Sequence, residues 1–121
     1  MSYQFSHDVP IYLQIMEIFR DQILSGQLVR GDQLPSVREV AMNYGVNPNT
    51  VQKAFLEMDR MELTRSERTS GRFVVASDAL LKKLRTEESH TAIEIFIQRM
   101  KTLGIECAEI IEIIKERWND N

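Results

Sequence analysis

The chain is poor in the residues that most enzymes and metalloproteins rely on. Its single cysteine, Cys107, excludes an internal disulfide framework and any cysteine-cluster zinc site. The two histidines, His7 and His90, lie far apart, and neither has a Cys, Asp or Glu neighbour at ligand spacing; both read as surface histidines, and no metal site is expected. No glycine-rich phosphate loop, nucleophile elbow or acid–base pair occurs, which argues against an enzyme and against a bound cofactor. No apolar run approaches the roughly 20 residues needed to span a bilayer, and Met1 to Val9 is polar, unlike a signal peptide. A reducing cytoplasm is the expected location. Basic excess is missing too, since 15 Lys/Arg stand against 18 Asp/Glu, a formal net charge of −3. That total does not advertise a nucleic-acid binder, yet phosphate binding needs a local basic face and not a basic chain. Residues 30–75 hold seven Lys/Arg against six acids, whereas residues 76–121 hold seven against nine.

What is present is patterning. With 121 residues and 43% apolar side chains, the chain fits one small domain with an appendage. The stretch from Val46 to Met58 organises the rest. Asn47 suits a helix N-cap, because its side chain can accept from free first-turn amides, and Pro48 sits where a missing N–H costs nothing. Val51, Ala54, Phe55 and Met58 follow helical spacing and form one apolar stripe. The other face opens with Asn49, Thr50, Gln52 and Lys53, whose amide, hydroxyl and ammonium groups match what base edges and phosphates require. Upstream, Ser36-Val37-Arg38-Glu39 reads as a capping box, and Gly45 stands where a left-handed residue stops a helix. A short helix, a glycine-bearing turn and a helix with a polar leading edge make the helix-turn-helix plan.

The remaining elements follow in order. Asp8-Val9-Pro10 opens a first helix to about Leu24, with Ile11, Ile15, Ile18, Phe19 and Ile23 on its apolar face. A loop with a short strand near Gln33-Leu34 leads through Pro35 to the Ser36 cap. After the helix that ends near Met61, Glu62–Glu67 and Gly71–Ala76 read as two strands, with Arg68-Thr69-Ser70-Gly71 as the hairpin tip. A hairpin directly after a recognition helix is a wing, and its Arg68, Thr69, Ser70 and Arg72 are placed to reach sugar and phosphate in the neighbouring minor groove. A long helix is expected from Asp78 to Leu103, its polar middle, Arg85–Thr91, exposed, bent or broken. A last helix from Glu106 to Trp118 carries Cys107, Ile110, Ile111, Ile114 and Trp118 on one stripe, with Cys107 expected as a small buried hydrophobe. Two such helices are too small to bury their faces alone, so they pack on the first domain or on the same pair from a second chain, the second being preferred.

Several motifs, in order and at matching spacing, resemble the GntR family of bacterial transcription regulators. They are Pro10-Ile11-Tyr12-Leu13-Gln14-Ile15, Gly31-Asp32-Gln33-Leu34-Pro35-Ser36-Val37-Arg38-Glu39, Val46-Asn47-Pro48-Asn49-Thr50-Val51 and Gly71-Arg72-Phe73-Val74. The short two-helix tail is similar to that of the YtrA-like subgroup, which lacks a large ligand-binding domain. The resemblance implies a winged helix-turn-helix, a homodimer, double-stranded operator DNA with two-fold symmetry as the partner, and repression, often of the regulator's own operon and of transporter genes. It implies DNA contact by Arg38, by Asn47, Asn49, Thr50 and Gln52, and by the wing glycine Gly71, with Lys53 beside them on phosphate. Glu62 and Thr69 depart from the family pattern, which has glycines there, and Glu67 stands near a usual basic position.

The fold expected is therefore mainly α with a small β-hairpin: a winged helix-turn-helix over residues 1–76 and a two-helix dimerisation tail over 77–121. Two alternatives stay open. One is a winged helix that binds protein. The other is a sensor whose C-terminal helices take a small-molecule effector or a metal.

Overall fold

The computed structural model describes residues 3–120; Met1, Ser2 and Asn121, the outermost residues of the two expected domains, lie outside the described residues. The elements are α1 (Ile11–Leu24), α2 (Val37–Tyr44), α3 (Pro48–Arg60), β1 (Thr64–Glu67), β2 (Gly71–Val74), α4 (Asp78–Thr102) and α5 (Cys107–Arg117), followed by a single 3-10 turn at Trp118–Asp120. The mainly helical fold with one antiparallel hairpin is the one the patterning predicts. The chain divides into two compact units within α4, after Lys82.

In the first unit α3 is the central element. Val51, Ala54, Phe55 and Met58 are each 0% exposed. They pack with Ile15, Phe19 and Ile23 of α1 and with Val40 and Ala41 of α2. The Phe19 and Phe55 rings meet edge-on, with centroids 5.5 Å apart and planes 81° apart. Burying each large side chain contributes about 2 kcal/mol, so this intersection of three helices holds the unit together. Ile11 does not take part: it is the first residue of α1 and is exposed.

Local chemistry sets the helix ends. The Ser36 hydroxyl accepts from the Glu39 amide at 3.1 Å, and the Glu39 carboxylate accepts from the Ser36 amide at 3.2 Å, which completes the capping box. Gly45, at φ 67°, ends α2. Asn47 Oδ1 then accepts from the Asn49 amide at 2.8 Å and starts α3. The end of α3 is unusual. The Glu62 amide donates to Asp59 O at 3.0 Å and the Leu63 amide to Met58 O at 3.1 Å, the two back-bonds of a Schellman stop. The left-handed position of that stop is occupied by Glu62, the one non-glycine residue with positive φ (65°) among the described residues. This stop delays the first strand, which begins at Thr64 and not at Glu62.

β1 and β2 pair antiparallel, Thr64 opposite Val74 and Glu67 opposite Gly71. The short strand expected near Gln33-Leu34 forms a third lane, although only as a bridge between Gln33 and Phe73. The Leu34 amide donates to Arg72 O at 2.8 Å, and the Val74 amide to Asp32 O at 2.9 Å. Gln33 also reaches along the hairpin, where its Nε2 donates to Ser70 O at 2.9 Å. Gly71, at φ 115°, makes this approach possible, since a Cβ there would run into the Gln33 amide group.

In the second unit, α4 continues without a break through the polar stretch whose state the pattern left open. Gly104, at φ 74°, ends the chain's approach to α5, with the Ile105 amide donating to Met100 O at 3.1 Å.

Two stability outcomes follow from these backbone positions. Glu62→Gly relieves a left-handed side-chain residue and is expected to raise stability by up to about 1 kcal/mol, a gain of roughly 4 °C in melting temperature, with Glu62→Val lowering it. Gly71→Ala forces both an unfavourable φ and a displaced Gln33, at a cost of about 1–3 kcal/mol. Thermal unfolding followed by circular dichroism measures both, and equal stability of wild type and the Gly71 variant contradicts the close packing described.

Candidate nucleic-acid interface

The face of α3 opposite the buried stripe is open. Asn49, Gln52 and Lys53 are exposed and Thr50 is half-buried beside them. These positions are fixed indirectly: with Val51, Ala54, Phe55 and Met58 committed to the core, Asn49, Gln52 and Lys53 are turned to the outside. The Asn49 and Gln52 side chains hydrogen-bond to nothing among the described residues, so their amide groups keep both donor and acceptor capacity, the pattern that pairs with a base edge. Asn47 differs. Its Oδ1 accepts from the Asn49 amide, which holds the side chain against the first turn of α3. Lys53 is exposed but not idle, because its Nζ lies 4.1 Å from the centroid of the Tyr12 ring on α1. That contact holds the ammonium beside the polar face. Arg38, on α2, is exposed and has no ion pair among the described residues.

At the hairpin tip, Arg68, Thr69 and Ser70 are exposed, and the backbone beneath them is anchored by the Gln33 side chain. Glu67, the acid that weighed against the wing, lies 3.3 Å from Arg65, an exposed pair that partly offsets its charge.

Arg72 is placed differently from Arg68. The sequence placed it with Arg68 as a cation reaching for phosphate. In the structure its side chain is 11% exposed, and it makes a fork with Asp59: Nε donates to Oδ1 and Nη2 to Oδ2, each at 3.1 Å. The guanidinium also lies over the Phe55 ring, 4.9 Å from its centroid. The reason is the strand's alternation. Gly71 belongs to the tip, and the next residue in the pleat turns toward α3, where a carboxylate waits. Sequence reasoning missed Asp59 and Gln33. Asp59 follows Phe55 by one helical turn and thus flanks the buried stripe, a signal that was available. Gln33 contacts a residue 37 positions away, and no local pattern announces that.

The second unit offers surface of another kind. Ile93, Phe96, Ile111, Ile114 and Trp118 are exposed, Trp118 to 76%. An apolar groove of about 430 Å3 runs between α4 and α5, lined by Phe96, Ile97, Met100, Ile105 and Ile110 among others. Cys107 borders it but is exposed, so the expected burial of the thiol is not met within one chain. Among the described residues no three His, Cys, Asp or Glu side chains come together as a metal site, and no helix is long and apolar enough to cross a membrane.

Comparison with known proteins agrees with this geometry. The family described as bacterial regulatory proteins, gntR family, matches residues 11–74, from the start of α1 to the end of β2. The uncharacterized HTH-type transcriptional regulator YhcF of Bacillus subtilis is 36% identical over 95% of both chains. The HTH-type transcriptional repressor YtrA of the same organism is 34% identical over 88% of this chain and 83% of its own. Among solved structures, a GntR family transcriptional regulator from Listeria monocytogenes superposes with a TM-score of 0.81 at 33% identity, covering 93% of this chain and 98% of that one. The DNA-binding domain of AraR, solved in complex with the operator ORX1, superposes at 0.54 with 25% identity over 61% of this chain and 90% of that domain. The family match from α1 to β2, together with regulators similar over nearly the whole chain, establishes that the chain belongs to the gntR family of bacterial regulatory proteins, the transcription regulators that its motifs resemble.

Proposed function

We propose that the chain is a repressor that binds a two-fold symmetric operator as a homodimer, with α3 in the major groove. The observation that carries this reading is the division of α3 into one face without any solvent exposure and an opposite face of uncommitted amides and an ammonium. A helix so divided presents hydrogen-bonding groups to a partner without disturbing its own core. Asn49, Thr50 and Gln52 read base edges. Arg38 and Lys53 set register on phosphates, and Arg68, Thr69 and Ser70 approach the backbone or the adjacent minor groove near Gly71. Arg72 has no place in that set. The repressor relative YtrA and the AraR domain bound to operator DNA support the assignment of partner and direction. Regulation of the chain's own operon and of transporter genes belongs to the same reading.

Dimerisation rests on the uncovered apolar faces of α4 and α5. Isoleucines, a phenylalanine and a tryptophan left in water lose the burial that makes such helices stable, and a second copy restores it. Two-fold symmetry in the protein then matches a two-fold operator, whose half-sites lie about 34 Å, one turn of DNA, apart.

Two outcomes are expected on DNA from upstream of the gene. Gln52→Ala costs about 1–3 kcal/mol and relaxes preference at one base pair per half-site, whereas Lys53→Ala weakens all sequences alike and reduces the salt slope by about one. Footprinting and titrations over operator variants distinguish them; identical behaviour of the two variants contradicts the division of roles. For assembly, light scattering should give twice the 14.1 kDa chain mass. The substitution Ile114→Asp should return the mass to that of one chain and lower operator affinity by roughly a hundredfold or more, as a half-site alone is weak. A wild-type chain that stays monomeric at micromolar concentration contradicts the dimer.

A further inference from the structure

We propose that Asp59 is a positioning residue that ties the wing to the recognition helix, and that Arg72 serves DNA binding only through it. The inference rests on the reading of α3 and the hairpin as the DNA-contacting elements. Asp59 belongs to α3, and its carboxylate reaches both strands of the hairpin. It accepts the Thr64 hydroxyl of β1 on Oδ1 at 2.5 Å and takes the Arg72 guanidinium of β2 on both oxygens. One side chain thus connects three elements, and both charged partners are largely withdrawn from water, at 11% and 24% side-chain exposure. A planar fork on a carboxylate restricts direction as well as distance, which a lone ammonium does not.

The chain between helix and hairpin fixes where the wing starts, through the Schellman stop and the buried Leu63, and the fork adds a restraint farther along, at Arg72 of β2. That connecting chain is the left-handed Glu62 with one residue on each side, a turn whose backbone is itself unfavourable. The tip is held from a second direction by Gln33 on Ser70. The base of the wing is held by Asp59. With both in place, Arg68 and the tip hydroxyls keep a set distance from Asn49 and Gln52, and phosphate contacts by the wing reinforce base contacts by the helix. Phe55 joins the arrangement, because the guanidinium covers the ring edge of the core that α3 buries.

Electrostatics alone predicts the opposite sign for one variant, which makes the idea testable. Deleting Asp59 removes a negative charge near DNA and frees a cation, so a phosphate-seeking Arg72 would bind more tightly. A positioning role makes the same variant bind more weakly. The experiment uses the full chain on its own upstream DNA, titrated at several salt concentrations, with wild type, Asp59→Ala, Arg72→Ala, the double variant and Arg72→Lys, and Arg68→Ala as the reference for a phosphate contact. The expected result is that Asp59→Ala and Arg72→Ala each weaken operator binding about tenfold, that the double variant is no weaker than either, and that the salt slope stays at the wild-type value. Arg68→Ala should reduce that slope by about one. Arg72→Lys keeps the charge, loses the fork and should behave like Arg72→Ala. Hydrogen exchange should show faster exchange at β1 and β2 with α1 unchanged, which separates a loosened wing from global unfolding. Tighter binding by Asp59→Ala, a slope lowered by Arg72→Ala, or wild-type affinity in Arg72→Lys overturns the proposal. If Asp59→Ala does not fold, Arg72→Lys and Arg72→Ala decide it by the same criteria. A wild-type chain that does not prefer its upstream DNA to random DNA overturns the operator reading itself and this proposal with it.

Discussion

Burial of the α3 stripe is the constraint from which the rest of the molecule follows. Val51, Ala54, Phe55 and Met58 have no exposure, and their spacing leaves the helix no rotational freedom about its axis. Turning α3 by one residue would carry Phe55 into water and an amide or ammonium into the core, at several kcal/mol each. The same contact therefore holds α1 and α2 in place and decides which side chains stay outside. Stability and the proposed recognition are two consequences of one packing arrangement, and the polar residues on the open face contribute little to the fold.

The wing is held in a different way. It has two strands of four residues, too few to be stable alone, and its base is seated by the buried Val74 and the flanking Leu63 and Ala76. Directed polar contacts add to that seat: the Gln33 amide on Ser70 O, the bridge lane at Asp32–Leu34, and Asp59 on Thr64 and Arg72. Such contacts contribute less than the α3 core but set angles more tightly. The departures from the family pattern concentrate in this region. Glu62 takes a left-handed position that glycine fills more easily, and the backbone accepts it because Leu63 beyond it is buried.

The second unit shows the opposite balance. Its helices are well formed, with a glycine stop between them, yet among the described residues none from Lys83 onward is buried. Helix propensity and capping suffice to draw α4 and α5, but not to give them a closed core. The proposed second copy would cover these apolar side chains, and Cys107, exposed, lies along the same groove.

Read from the chain alone, the three N-terminal helices, their caps, the buried stripe and the open polar face were all legible, as was the hairpin. These are local features: spacing, a capping box, a glycine at a stop. The family resemblance was legible for the same reason. What the chain alone did not reveal depends on residues distant in sequence. Arg72 looked like Arg68 because both are arginines in one hairpin, and only the approach of α3 separates a free cation from one enclosed by Asp59. Gln33 read as part of a short strand within a loop, and nothing in that pattern named Ser70 as the partner of its side chain. The state of Cys107 depended on what covers a groove, and periodicity names the apolar face without naming its partner. Short-range periodicity and capping determined the elements and their faces; the pairing of charges across elements was decided by the tertiary structure, because an ion pair depends on distance in space and the sequence records only order along the chain.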